Sequence, residues 1–156
     1  VPTTRKLCYP HPRGANSHPL LDPPPYGLHP TAGLANNWAI DFMAPGGTPT
    51  LAVEQATIWR YSGHNPNLGE VAPGIFGWNI FLHTRDGLIY FYTHLGDRTG
   101  AVGDKVPRGK LLGHVGHWPD DEPRSHTHLG VTHPAGMAAS KRAIRNVAAA
   151  PRITPV

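Results

Sequence analysis

The stretch SHTHLGV, Ser125 to Val131, places two imidazoles one residue apart near the end of a 156-residue chain. In a β-strand, residues i and i+2 share a face and stand roughly 6.6 Å apart. His126 and His128 then look one way, and Thr127, Leu129 and Val131 look the other. Two histidines over an apolar face read as a strand that packs on a core and carries a site.

The surrounding sequence has the same extended character. WAIDF (Trp38–Phe42) reads as a strand ended by the turn APGGTP, and TLAV and ATIWRYS as the next two. GHNPNLGEVAPGIFG (Gly63–Gly77) is a long loop rich in Gly, Pro and Asn, and for its His64 a bland surface role is a simpler reading than lining a groove. WNIFLHT (Trp78–Thr84) alternates Trp78, Ile80 and Leu82 on one face; RDG turns the chain, and LIYFYTHL (Leu88–Leu95) returns as a hairpin. VGDKVPRGKLLGHVGHW follows, with Gly between brief apolar runs. One helix is expected near the end, with Ser140 as N-cap, Ile144, Val147 and Ala148 on its apolar stripe, and Pro151 as its stop. Lys141, Arg142 and Arg145 lie mostly off that stripe, as a solvated basic face.

Residues 1–26, with YPHPRG and LLDPPPYG, have no helical or alternating period and read as an extended Pro-rich arm lying over the domain rather than as a core element. The expected division is therefore arm 1–26, main domain 27–135, and C-terminal helix and tail 136–156. With 18 Gly, 18 Pro and only 15% charged residues, the composition is that of a loop-rich, mainly β protein. No apolar run approaches the roughly 20 residues of a membrane-spanning helix, so membrane insertion is not expected. The opening VPTTRKLCYP, without Met or a signal segment, reads as a processed protein or an excised piece of a longer one. Cys8 is alone, which excludes an internal disulfide. A net charge of +4 suits an anionic partner and equally suits plain solubility. Repeats, phosphate-binding loops, dinucleotide fingerprints and CxxC pairs are absent.

Eleven histidines are the informative number. Asp41 ends a strand at a Gly/Pro turn, His94 lies on a hairpin strand and shares its expected face with Tyr92, and His126 and His128 share a later strand. One carboxylate with imidazoles suits zinc, which takes N and O ligands and keeps an open position when catalytic. Two histidines at i and i+2 do not sit symmetrically on one ion: one binds it, and the other stands beside the open position as a proton-transfer group. For His83, His114 and His117, surface roles are the simpler reading; His133, at the strand's end, points opposite to His128, and His11 and His18, in the arm, are as easily read as solvent-facing.

Gly27 to Thr132, about two-thirds of the chain, resembles the lysostaphin/LytM-type zinc endopeptidases that cut peptidoglycan peptides. WAIDFMAPGGTPTLAV is similar to the segment with the aspartate ligand, GWNIFLHTRDGLIYFYTHL to the hairpin ending in Tyr-x-His-Leu, VGDKVPRGKLLGHVG to the Gly-punctuated turn, and HTHLGV to the H-x-H strand. The resemblance implies a small antiparallel β-sheet groove with zinc on its floor. Asp41 and His128 would be ligands, and His94 and His126 catalytic histidines. Tyr92 and Asn37 are the candidate substrate contacts. The implied substrate is bacterial peptidoglycan peptide, with no nucleic-acid partner. The chain would be a monomeric domain of a larger protein, secreted or associated with a virion or lysin, and facing the cell wall.

One position departs from the family. Its first ligand is a His four residues before the aspartate, and here that residue is Asn37. Three repairs are open: His29, twelve residues before Asp41, turned back onto the site by TAG; Asn37 itself as a weak ligand; or a metal-free relic acting as a wall-binding or structural module. His29 is favoured, because an otherwise complete constellation beside a spare His is easier to explain by relocation than by decay. A cupin-type metalloenzyme also uses H-x-H, but expects a Glu shortly after it, where this chain has LGVTHP.

Overall fold

The computed structural model describes residues 5–21, 27–31, 33–63 and 77–156; His64 and most of the long loop lie outside these. Among the described residues, nine strands and one α-helix follow in chain order: β1 (His18–Pro19), β2 (Asn37–Met43), β3 (Pro49–Leu51), β4 (Ala56–Gly63), β5 (Trp78–His83), β6 (Ile89–Leu95), β7 (Lys105–Val106), β8 (Leu111–His114), β9 (His126–Thr132) and α1 (Met137–Ala148). Seven strands form one antiparallel sheet in the order β1-β2-β9-β6-β5-β4-β7, and β3 and β8 form a separate pair. The expected fold is the observed one: mainly β and antiparallel, with one C-terminal helix.

The three strands with the singled-out residues are neighbours at the centre of the sheet. Asp41 stands opposite His128, and His128 opposite Thr93. The alternate positions form the core: Ile40, Leu129 and Tyr92 are fully buried and pack with Phe42, Leu82 and Val131. Ile144 and Val147 of α1 close this side. The pleat thus puts the hydrophobic layer under one face and leaves the other free for a site.

Three expectations need correction. The N-terminal segment runs extended, yet it supplies part of the core. Tyr9 is 1% exposed, and Tyr9 N and Arg13 N donate to Pro151 O and Ile153 O. A tyrosine ring is worth burying whether or not its segment has a period, and Pro-rich sequence hides that. His11 is likewise buried, with Nδ1 2.6 Å from Ser17 Oγ and Nε2 2.9 Å from Thr127 Oγ1. Finally, α1 begins at Met137 with Gly136 as its N-cap, so Ser140 lies inside the first turn. Its hydroxyl accepts from His133 N and donates to Asn36 O, tying the helix to the ends of β9 and β2.

Candidate metal centre

On the open face, β2 and β9 hold Asp41 and His128 side by side, and the segment before β2 adds a third group. His29 exchanges backbone hydrogen bonds with Ala39, which carries its ring across Asp41. Among the described residues, His29, Asp41 and His128 form a group able to hold a metal ion. His128 Nδ1 lies 3.1 Å from Asp41 Oδ1 and 3.2 Å from His29 Nε2, and His29 Nε2 lies 3.8 Å from Asp41 Oδ1. Donor atoms on a tetrahedral zinc with bonds near 2.05 Å are separated by about 3.4 Å. The three separations bracket that value, so the donor set fits zinc.

The outer hydrogen bonds aim the ligand atoms. His29 Nδ1–H donates to Gly27 O, leaving a lone pair on Nε2 toward the group. Thr31 Oγ1 sits 2.8 Å from His128 Nε2, ready to accept its proton when Nδ1 binds an ion. Burial pushes the His128 pKa below the ordinary imidazole value against the opposing pull of Asp41, which favours the neutral ring that a metal requires. For Asp41, burial pushes the pKa up, but the His128 hydrogen bond and the neighbouring imidazoles outweigh it, and the carboxyl titrates below its ordinary value.

His126 does not join the group of three. Its Nδ1–H donates to Arg124 O at 2.6 Å, so Nε2, 3.7 Å from Asp41 Oδ1, presents a lone pair beside the ion position. Trp118 stacks on its ring with centroids 5.3 Å apart, and His94 approaches it edge-on at 4.7 Å. His94 reaches this face by breaking the alternation of β6: its φ is +69°, and Leu95 takes the following place in the core. A left-handed non-glycine residue costs roughly 1–2 kcal/mol, a strain typical of functional positions. Gly77 makes it sterically feasible, since a Cβ there would stand 2.5 Å from Leu95 O and 2.9 Å from the His94 carbonyl carbon.

That break corrects the assignment of Tyr92. Its ring lies on the core face, and its hydroxyl accepts a 3.0 Å hydrogen bond from Val53 N. It is fully buried and does not reach the cleft. Asn37 is fully buried as well: Nδ2 donates to Thr132 Oγ1 at 3.0 Å, and Oδ1 has no hydrogen-bond partner among the described residues. It stands opposite Thr132, four residues along a regular strand from Asp41, roughly 13 Å by strand rise. It does not line the cleft, and its amide packs between Thr132 and Gly130. Gly130 accommodates it, because a Cβ there would come within 2.1 Å of Asn37 Oδ1 and 2.8 Å of Thr31 Oγ1.

Around these groups lies a cleft of about 540 Å³ that also includes Phe91, Thr93, Asn79 and Trp118. Thr31 and Trp118 carry no periodic or motif signal, so nothing in the sequence marked them.

Residues 35–141 match the family model described as peptidase family M23. The chain belongs to peptidase family M23. Its structure is similar to that of the catalytic domain of the prophage-encoded M23 protein EnpA from Enterococcus faecalis, at 24% identity and TM-score 0.54, over 79% of this chain and 85% of that one. The M23 metalloprotease pseudoalterin, from the deep sea, matches at 18% identity and TM-score 0.55, over 86% of this chain and 74% of that one. Lysostaphin from Staphylococcus simulans matches at 23% identity and TM-score 0.53, over 81% of this chain but only 46% of its own. At these identities the likeness establishes the fold. No curated protein matches. No helix among the described residues is long and apolar enough to cross a membrane.

Proposed function

We propose that this M23 domain is a zinc-dependent endopeptidase that cleaves peptide bonds of bacterial peptidoglycan. The observation that carries the reading is the spacing of His29 Nε2, Asp41 Oδ1 and His128 Nδ1, with His126 Nε2 beside them. Bound there, zinc supplies Lewis-acid chemistry, polarising a carbonyl and making water nucleophilic near neutral pH. His126 Nε2 takes the proton of the attacking water and returns it to the leaving amine. His94 donates to the oxygen on which negative charge develops. The stack of Trp118 on His126 and the hydrogen bond to Arg124 O hold that imidazole in one orientation. Family membership supports a cell-wall substrate and an extracellular or wall-facing place of action, and the likeness to a prophage-encoded domain favours a virion or lysin as the parent.

A metal-free or weakly metal-binding wall module is the second reading; the observation that favours it is Asn37 where the family has a His. The test is release of new amino groups from purified sacculi by zinc-reconstituted protein. We expect release by the wild type, and loss of both zinc and release in Asp41→Ala and His128→Ala. Sacculi bound without zinc uptake or amine release would favour the module.

A further inference from the structure

The row of side chains next to the metal group crosses the sheet. Ala39, Gly130, Phe91, Phe81 and Arg60 stand opposite one another on β2, β9, β6, β5 and β4, on the face of Asp41 and His128. A register shift between Ile58 and Arg60 makes Trp59 the extra residue of a bulge, so Ile58 stays in the core while Trp59, 47% exposed, emerges beside Arg60. The aromatic path is continuous. Phe91 lies 6.1 Å from His128, Phe81 4.7 Å from Phe91, and Trp59 6.0 Å from Phe81, all between ring centroids. The Arg60 guanidinium sits 4.3 Å from the Phe81 centroid and 5.7 Å from that of Trp59.

Among the described residues, arginine–carboxylate pairs join Arg5 to Glu54 and Asp86, and Arg124 to Asp121; Arg60 has none. An exposed guanidinium held against rings by cation–π contact, with no carboxylate partner, has N–H groups to offer an anion and part of its freedom already lost. Three strand spacings separate β9 from β4, about 14 Å, which an extended peptide covers in roughly four residues.

Resting on the endopeptidase reading, we infer that Arg60, set on the Phe81–Trp59 shelf, is a subsite for a carboxylate of a cell-wall stem peptide about four residues from the scissile bond. The domain is then selective for anionic peptides over neutral ones. A bidentate carboxylate fits the guanidinium edge, and the rings exclude water beneath it.

The test is brief cosedimentation of the full chain, at low temperature, with purified sacculi before and after carbodiimide amidation of their peptide carboxylates. Wild type is expected to bind native sacculi roughly two- to fivefold more tightly than amidated ones, the range of an exposed ion pair. Arg60→Gln should bind both alike, while Arg142→Gln, on the far helix, keeps the discrimination. Discrimination retained in Arg60→Gln, or absent in wild type, overturns the inference. So does weakening by Trp59→Ala that is equal on both sacculi with Arg60→Gln silent, which would indicate sugar stacking. Amine release from the same sacculi tests the endopeptidase reading separately.

Discussion

Replacing His11 by Gln should remove most of an acid sensitivity built into the fold. The ring is fully buried, held by Ser17 on one nitrogen and Thr127 on the other. Burial, then the charges of Arg152 and His126, push its pKa down to about 3. The unfolded chain takes up that proton near pH 6.5, so between pH 6.5 and about 3 the unfolded state binds one more proton than the native state. Stability from this group is complete above pH 6.5 and falls by about 1.4 kcal/mol for each unit below it. At pH 5 the loss is about 2 kcal/mol, or roughly 1 M in urea midpoint for a domain of this size. The assay is urea unfolding of chelator-treated protein at pH 7 and pH 5. His11→Gln should start less stable at pH 7, yet its midpoint should move about 1 M less than that of the wild type. Equal shifts in the two proteins would refute the reasoning, since the proton uptake would then belong elsewhere.

Gly130→Ala should cost about 1–3 kcal/mol of unfolding free energy, because its methyl collides with Asn37 Oδ1 and Thr31 Oγ1; a chemical-denaturation curve indistinguishable from wild type would contradict this. His126→Ala and His94→Ala are expected to lose on the order of 10²-fold in turnover while keeping zinc, and a folded but zinc-free variant would make that residue a ligand. Trp118→Ala should lower turnover roughly two- to tenfold with zinc retained, and Trp118→Phe should recover most of it by keeping an aromatic partner for His126.

Much of this was readable from period two. Asp41, His126 and His128 come together because each obeys the alternation of a regular strand, and the register pairs Asp41 with His128. The same rule failed at His94, where a left-handed residue swaps faces with Leu95 and so parts it from Tyr92, and no local propensity announces it. Tyr9 and His11 were invisible for another reason: their burial depends on contacts with Pro151 and Thr127, more than 100 positions away. Ser140 has the chemistry of a cap, but here spends its hydroxyl on the ends of two strands.

Zinc content after chelator treatment and reconstitution tests the central claim most directly. The wild type should hold about one zinc per chain. His29→Ala should lose it to mild chelation, because two protein ligands then remain where a catalytic site needs three, and Asn37→Ala should keep it, because its side chain stands opposite Thr132 and away from Asp41. Zinc retained by His29→Ala and lost by Asn37→Ala would contradict the account, as would a folded wild type that takes up none.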